Sequence, residues 1–275
     1  SVWSVSFSPD GTMLATASSD KTARLWDLQG NQITEFVGHT NSVNSVSFSP
    51  DGTMLATASM DNIVRLWDLK GNLKKVFVGH TYYVNSVSFS PDGTMLATAS
   101  SDKTARLWDL KGNLMTEFLG HIYLVNSVSF SPDGTMLATA SSDKTARLWD
   151  LKGNLMAEFV GHSDKVNSVS FSPDSTMLAT ASSDNSTRFW DLKGNLMAEF
   201  SRHTESVNSV NLMVNDQLLP TTNYKYRNRS LSMELLEKLL ARGCSRLQGY
   251  FVTHPEALAE LEVCQQLTTN NWVVG

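Results

Sequence analysis

The chain repeats itself every 41 residues. Gly-His pairs stand at 38–39, 79–80, 120–121 and 161–162, and Arg202-His203 fills the fifth slot. Trp-Asp pairs stand at 26–27, 67–68, 108–109, 149–150 and 190–191. Residues 84–115 recur letter for letter as 125–156. A fixed period of this length means one supersecondary unit stacked on copies of itself, because each unit must bury its apolar face on a neighbour.

The copy over 79–119 predicts strands. Val-Asn-Ser-Val-Ser-Phe and Thr-Ala-Arg-Leu-Trp are β-branched and aromatic runs with no helical stripe. A first strand is expected over 84–90. Pro91-Asp92-Gly93 turns the chain, since Pro presets φ and Gly accepts positive φ. A second strand over 95–100 is followed by a turn at Ser101-Asp102-Lys103, a third over 104–110 by Lys111-Gly112-Asn113, and a fourth spans 114–119. Three hairpins make a four-stranded antiparallel sheet.

Gly-His near the start of a unit of about 40–45 residues and Trp-Asp near its end resemble the WD40 β-propeller family. The resemblance covers residues 1 to about 210. It implies an all-β propeller of four-stranded antiparallel blades, with five full copies, a decayed sixth and a small C-terminal helical segment. It also implies a buried hydrogen-bonded set in each blade: His39, Thr57, Asp61 and Trp67; His80, Thr98, Asp102 and Trp108; His121, Thr139, Asp143 and Trp149; His162, Thr180, Asp184 and Trp190. The first copy has Thr16, Asp20 and Trp26 but no His. Ser18 and its equivalents lie on the same strand face as the Thr, so either hydroxyl fits. Asp, His and a hydroxyl also resemble a hydrolase triad. Four near-identical copies, with no Gly-x-Ser-x-Gly around any Ser, favour a structural role and no enzyme.

Other chemistry finds little support. The His residues lie 41 apart, which is not metal-ligand spacing, and no dense Asp-x-Asp run or P-loop occurs, so no metal or cofactor is expected. Net charge is −5, so no basic field points to nucleic acid or an anionic membrane. No apolar run spans a bilayer and no signal peptide is visible. Cys244 and Cys264 are the only cysteines, which suits a reducing cytoplasm and packing roles. Ser1 falls inside a repeat, so the chain reads as a fragment.

The positions at which the copies differ are the informative ones for function. The three residues after each Gly-His change most: Thr40-Asn41-Ser42, Thr81-Tyr82-Tyr83, Ile122-Tyr123-Leu124, Ser163-Asp164-Lys165 and Thr204-Glu205-Ser206. A second variable spot surrounds the turn Asp, with Met60, Asn62, Ile63 and Val64 in one copy and Asn185 and Ser186 in another. The Ser-Pro-Asp-Gly and Lys-Gly-Asn turns scarcely vary, apart from Ser175 for Gly. In a four-stranded meander both variable loops lie at one end. Rigid strands with variable tips make a binding surface. Asn41, Tyr82, Tyr83, Ile122, Tyr123, Leu124, Asp164 and Lys165 are the candidate contacts to a protein or peptide partner, with the tyrosines as anchors.

The pattern decays after Phe200. Residues 1–212 read as repeats, 213–229 as a degenerate blade or linker, and 230–275 as helices, with Ser232 as a cap, Leu235, Leu236, Leu239 and Leu240 on one face, and Gly243 as a stop. Residues 239–251 look like the helical ending of large bacterial WD40-repeat proteins. That resemblance implies the sensing arm of a STAND-type signalling NTPase. Five blades and half of another fall short of the seven at which the family most often closes. An incomplete ring predicts missing blades elsewhere or self-association of two chains.

Overall fold

Each 41-residue copy folds into its own antiparallel meander, because turn formers punctuate it at every hairpin. The computed structural model describes residues 1–201 and 203–212. The chain divides into two units, Ser1–Val214 and Asn215–Gly275, and the described residues belong to the first. Sheet 1 holds β1 (Val2–Phe7), β2 (Met13–Ser18), β3 (Ala23–Asp27) and β4 (Gln32–Phe36). Sheet 2 holds β5 (Val43–Phe48), β6 (Met54–Ser59), β7 (Val64–Asp68) and β8 (Leu73–Phe77). Sheet 3 holds β9 (Val84–Phe89), β10 (Met95–Ser100), β11 (Ala105–Asp109) and β12 (Leu114–Phe118). Sheet 4 holds β13 (Val125–Phe130), β14 (Met136–Ser141), β15 (Thr145–Asp150) and β16 (Leu155–Val160). Sheet 5 holds β17 (Val166–Phe171), β18 (Met177–Ser182), β19 (Ser186–Asp191) and β20 (Leu196–Ser201). In every sheet the strands pair in chain order. The all-β fold class of four-stranded blades is therefore as the repeats predict. The expected helices and the 213–229 segment lie outside the described residues.

Strand ends differ from expectation by one residue in sheet 3. The first strand stops at Phe89 because Ser90 turns inward and its hydroxyl donates to Asp92 Oδ1 at 2.6 Å. The third starts at Ala105 because the Thr104 amide and hydroxyl are both held by Asp102 Oδ1. Gly93 takes φ +71 in the first turn. Ser175 takes φ +59 at the equivalent position, so the turn survives loss of the glycine at some backbone strain.

Two bulges recur. Ala99 pairs with Ser86 and Ser100 with Val84, which leaves Asn85 out of the ladder. Its side chain then donates to Val125 O of the next sheet at 2.8 Å. Asn44, Asn126 and Asn167 donate in the same way to Val84, Val166 and Val207. The second bulge leaves Met115 unpaired between Thr116 and Leu114. Bulged residues are re-aimed out of the sheet plane. Here one becomes a tie between sheets.

The core lies between sheets. Period-2 alternation sends Leu96 of β10 toward sheet 2 and Ala97 and Ala99 toward sheet 4. The joint between sheets 2 and 3 sets small residues and a ring (Ala56, Ala58, Leu66, Phe77) against Val84, Val87, Phe89 and Trp108. Phe77 meets Trp108 edge-on at 6.0 Å. The same joint recurs at each of the other three interfaces among the five sheets. Each fully buried Val, Leu or Phe contributes roughly 1.5–3 kcal/mol, so the sheets stabilise one another.

Residues 207–212 align with a first strand, and they occupy that slot against sheet 5. Val207 N donates to Ser182 O at 3.0 Å, and Val210 N donates to Ser168 Oγ at 3.4 Å, as Val87 N does to Ser45 Oγ at 3.3 Å. They form no strand ladder among the described residues.

Candidate functional site

The repeated polar sets are built by the same alternation that builds the core. Thr98 lies on the Leu96 face of β10; across the β10–β11 ladder Leu96 pairs with Trp108 and Thr98 with Arg106, and Thr98 and Trp108 are both buried. Trp108 Nε1 donates to Thr98 Oγ1 at 2.9 Å, and Thr98 Oγ1 lies 2.7 Å from His80 Nε2. His80 Nδ1 lies 2.7 Å from Asp102 Oδ2. A carboxylate only accepts, so Nδ1 carries the ring proton and Nε2 accepts from the threonine. The chain of donors runs Trp108 to Thr98 to His80 to Asp102. It recurs through Trp67, Thr57, His39 and Asp61; Trp149, Thr139, His121 and Asp143; and Trp190, Thr180, His162 and Asp184. In sheet 1 Trp26 still donates to Thr16, while Asp20 turns to Thr22 and Arg24.

The choice between the two hydroxyls falls to the threonine. Ser100 points along the same face but donates to Tyr82 O and Tyr83 O, and accepts from Asp102 N. It pins the loop rather than joining the histidine. The glycine before His80 has a steric reason: a Cβ on Gly79 would come within 2.8 Å of Trp108 Cη2, a buried ring with no room to move.

Burial disfavours the charged form of each of these groups. Desolvation alone would raise the Asp61, Asp102 and Asp143 carboxyls. Hydrogen bonds from the histidines and from backbone N–H groups outweigh it and hold them well below the usual carboxylate range. Asp184 is lowered to about 2, against its own desolvation, by Ser186 and His162. Burial also lowers His39 and His162, by more than the facing carboxylates raise them.

Arginines on the third strand of each sheet were not singled out in the sequence, yet in four of the five sheets they tie that strand to the fourth. Arg24, Arg106, Arg147 and Arg188 pair with Glu35, Glu117, Glu158 and Glu199. In sheet 2 the glutamate is replaced by Val76, and Arg65 turns to Asp61 at 2.9 Å instead. Trp3 was also missed. It stands where the other copies have Asn44, Asn85, Asn126 and Asn167, and it is 58% exposed. Comparison of the copies carries that signal.

The two variable loops meet at one end of each sheet and are fastened together. Ser101 N donates to Tyr83 O at 2.8 Å, Ser142 N to Leu124 O at 2.9 Å and Ser183 N to Lys165 O at 3.0 Å. On this pinned backbone the side chains stand out. Ile122 is 64% exposed, Tyr123 58% and Tyr82 50%. Tyr83 and Leu124 are less exposed, and the Tyr82 and Tyr83 rings pack at 4.4 Å. Asp164 and Lys165 are exposed, whereas Asn41 is half-buried and its Oδ1 accepts from Ser42 N. The aromatic and aliphatic tips thus belong to sheets 3 and 4, which pack on each other.

No helix among the described residues is long and apolar enough to cross a membrane. The family model described as WD domain, G-beta repeat, matches residues 1–27, 30–68, 71–109, 112–150 and 153–191. No curated protein matches the chain.

Proposed function

The chain belongs to the WD40-repeat family, whose repeats generally mediate protein–protein interaction, and on that premise we propose that it is a non-catalytic scaffold that holds a protein or peptide through the variable loop end of sheets 2 to 5. One observation carries this reading: Tyr82, Tyr83, Ile122, Tyr123 and Leu124 form apolar tips on loops tied to rigid strands. Such a surface loses little entropy on binding and offers aromatic anchors.

The non-catalytic part of the reading has its own support. The sets reproduce the order of a triad, hydroxyl to imidazole to carboxylate. However, Thr98 has no exposure, and its oxygen already accepts the Trp108 indole N–H. A hydroxyl closed off on both sides has no access to a substrate.

Replacing Tyr82, Tyr83 and Tyr123 by Ser is expected to abolish capture of the partner bands that the wild-type chain draws from a native lysate. The thermal midpoint should move little, because exposed side chains contribute within about 0.5 kcal/mol each. Unfolding of the triple variant would instead place those rings in the core and sink the reading.

A second partner class rests on sheet 1. Val2, Val5 and Phe7 are about 60% exposed, whereas their counterparts Val43, Val46 and Phe48 are buried against the preceding sheet. An apolar face of this size invites cover, and a second copy of the chain supplies it in this reading. Size-exclusion chromatography with light scattering is expected to give a species larger than one 30.3 kDa chain. A compact, stable monomer is the contrary result. The reading as the sensing arm of a larger NTPase rests on residues 239–251, which lie outside the described residues. A P-loop upstream in the reading frame decides it.

A further inference from the structure

We infer that the partner held at the variable loop end is an acidic peptide segment, in which carboxylates flank an apolar anchor. The inference rests on the scaffold reading above and adds the chemistry of what binds.

The residue after each turn Asp is left-handed: Lys21, Asn62, Lys103, Lys144 and Asn185 have φ between 65° and 75°. Asn tolerates this region and Lys does so poorly. The chain itself uses Asn twice, so the fold does not require Lys. Three lysines are nonetheless set in a conformation that a better residue was available to fill.

Their placement is specific. Asn62 Nδ2 reaches Thr81 O, on the variable loop of the next sheet, at 3.5 Å. The same register sets Lys103 between the Tyr82–Tyr83 tip and the Ile122–Tyr123–Leu124 tip. It sets Lys144 between that tip and Ser163-Asp164-Lys165. Both lysines are exposed and neither has an ion pair among the described residues.

The nearby carboxylates are already committed. Asp102 and Asp143 are buried and bound to histidine, threonine and backbone N–H groups. Glu117 and Glu158 are paired with Arg106 and Arg147. Asp164 offsets Lys165, and Glu205 lies beyond sheet 5. The exposed charges without an ion pair beside the apolar tips of sheets 3 and 4 are therefore Lys103 and Lys144, while the acids next to them are withdrawn from the surface or held by arginines. The opposite end carries Asp in both turns of every sheet, such as Asp92 and Asp109, against one turn lysine, such as Lys111, in sheets 2 to 5 and none in sheet 1, where Gln29 stands. That polarity steers an anionic segment to the variable end and away from the other.

The test pans a random dodecapeptide display library on the immobilised full chain. The wild type is expected to enrich sequences with Asp or Glu flanking Leu, Phe or Trp. A synthetic peptide of the consensus should bind K103N/K144N about tenfold more weakly, with an unchanged thermal midpoint, because the chain already accepts Asn at this position. Its affinity for the wild type should fall with added salt. Enriched peptides with the input library's charge, or equal affinity for K103N/K144N, would overturn the inference. So would a single-stranded DNA oligomer that binds with the same lysine dependence where no peptide does. The tyrosine triple variant separates the two readings. If it binds like the wild type while K103N/K144N does not, the apolar face fails and the charge preference stands. If it alone loses binding, the face stands and the acidic partner falls.

Discussion

Asp102→Ala is expected to destabilise the repeat unit by about 3–5 kcal/mol, the size of loss that follows when a buried polar network loses one member. The carboxylate accepts four hydrogen bonds: from His80 Nδ1, Thr81 N, Thr104 N and the Thr104 hydroxyl. Its side chain is only 4% exposed, so water does not take its place. Each stranded buried donor costs about 1–3 kcal/mol, and the histidine loses the partner that sets its tautomer. Asp20→Ala is the control. Asp20 occupies the same place in sheet 1, but no histidine among the described residues faces it and its side chain is 46% exposed. Its bonds to Thr22 and Arg24 are replaced by water, and the loss should stay below about 1 kcal/mol. For a domain of this size the difference amounts to a drop in thermal midpoint on the order of 10 °C. Equal losses in the two variants would mean that the histidine-linked sets contribute nothing beyond a local turn.

Acidification is expected to act on all four sets together. The folded pKa values of Asp61, Asp102, Asp143 and Asp184 lie below the unfolded carboxylate value of about 3.9. Their contribution is complete above that value and is lost as pH falls through the folded pKa values. His39 and His162 have folded pKa values below the unfolded value of about 6.5. Protonation therefore favours the unfolded chain, and their contribution is complete above about pH 6.5 and shrinks below it. The two effects share a sign. Stability should decline first as pH falls below about 6.5, then steeply below about pH 4. Denaturation followed across that range checks both windows. In an Asp61→Asn/His39→Gln double variant the upper window should shrink, because one of the two lowered histidines is gone. A stability that rises as pH falls from 7 to 5 would show that the imidazoles are held charged.

Much of the candidate site was legible because the chain compares itself with itself. The strand runs, the turn residues and the Gly-His and Trp-Asp spacings led to the five meanders, and the resemblance to the WD40 family implied the members of each polar set. The loops that vary, and the end of the sheet they share, also followed from comparing copies. The choice between Thr98 and Ser100 did not, since both point to one face of β10 and differ by one step along it. That step is decided by where the Trp108 indole and the His80 ring arrive from other strands. The role of Asn85 was hidden for a similar reason: a bulge turns a ladder residue into a tie to the next sheet, and no period in the sequence marks a bulge.

The amino-acid order by itself determined the secondary structure, the repeat and the residues that differ, because turn chemistry and alternation are local properties with a fixed period. Only the tertiary structure decided which apolar faces are covered. Val46 and Val5 have the same neighbours in sequence, yet Val46 is buried and Val5 is open. Among the described residues a sheet packs against Val46 and none against Val5, and burial depends on what stands opposite a side chain rather than on the side chain itself.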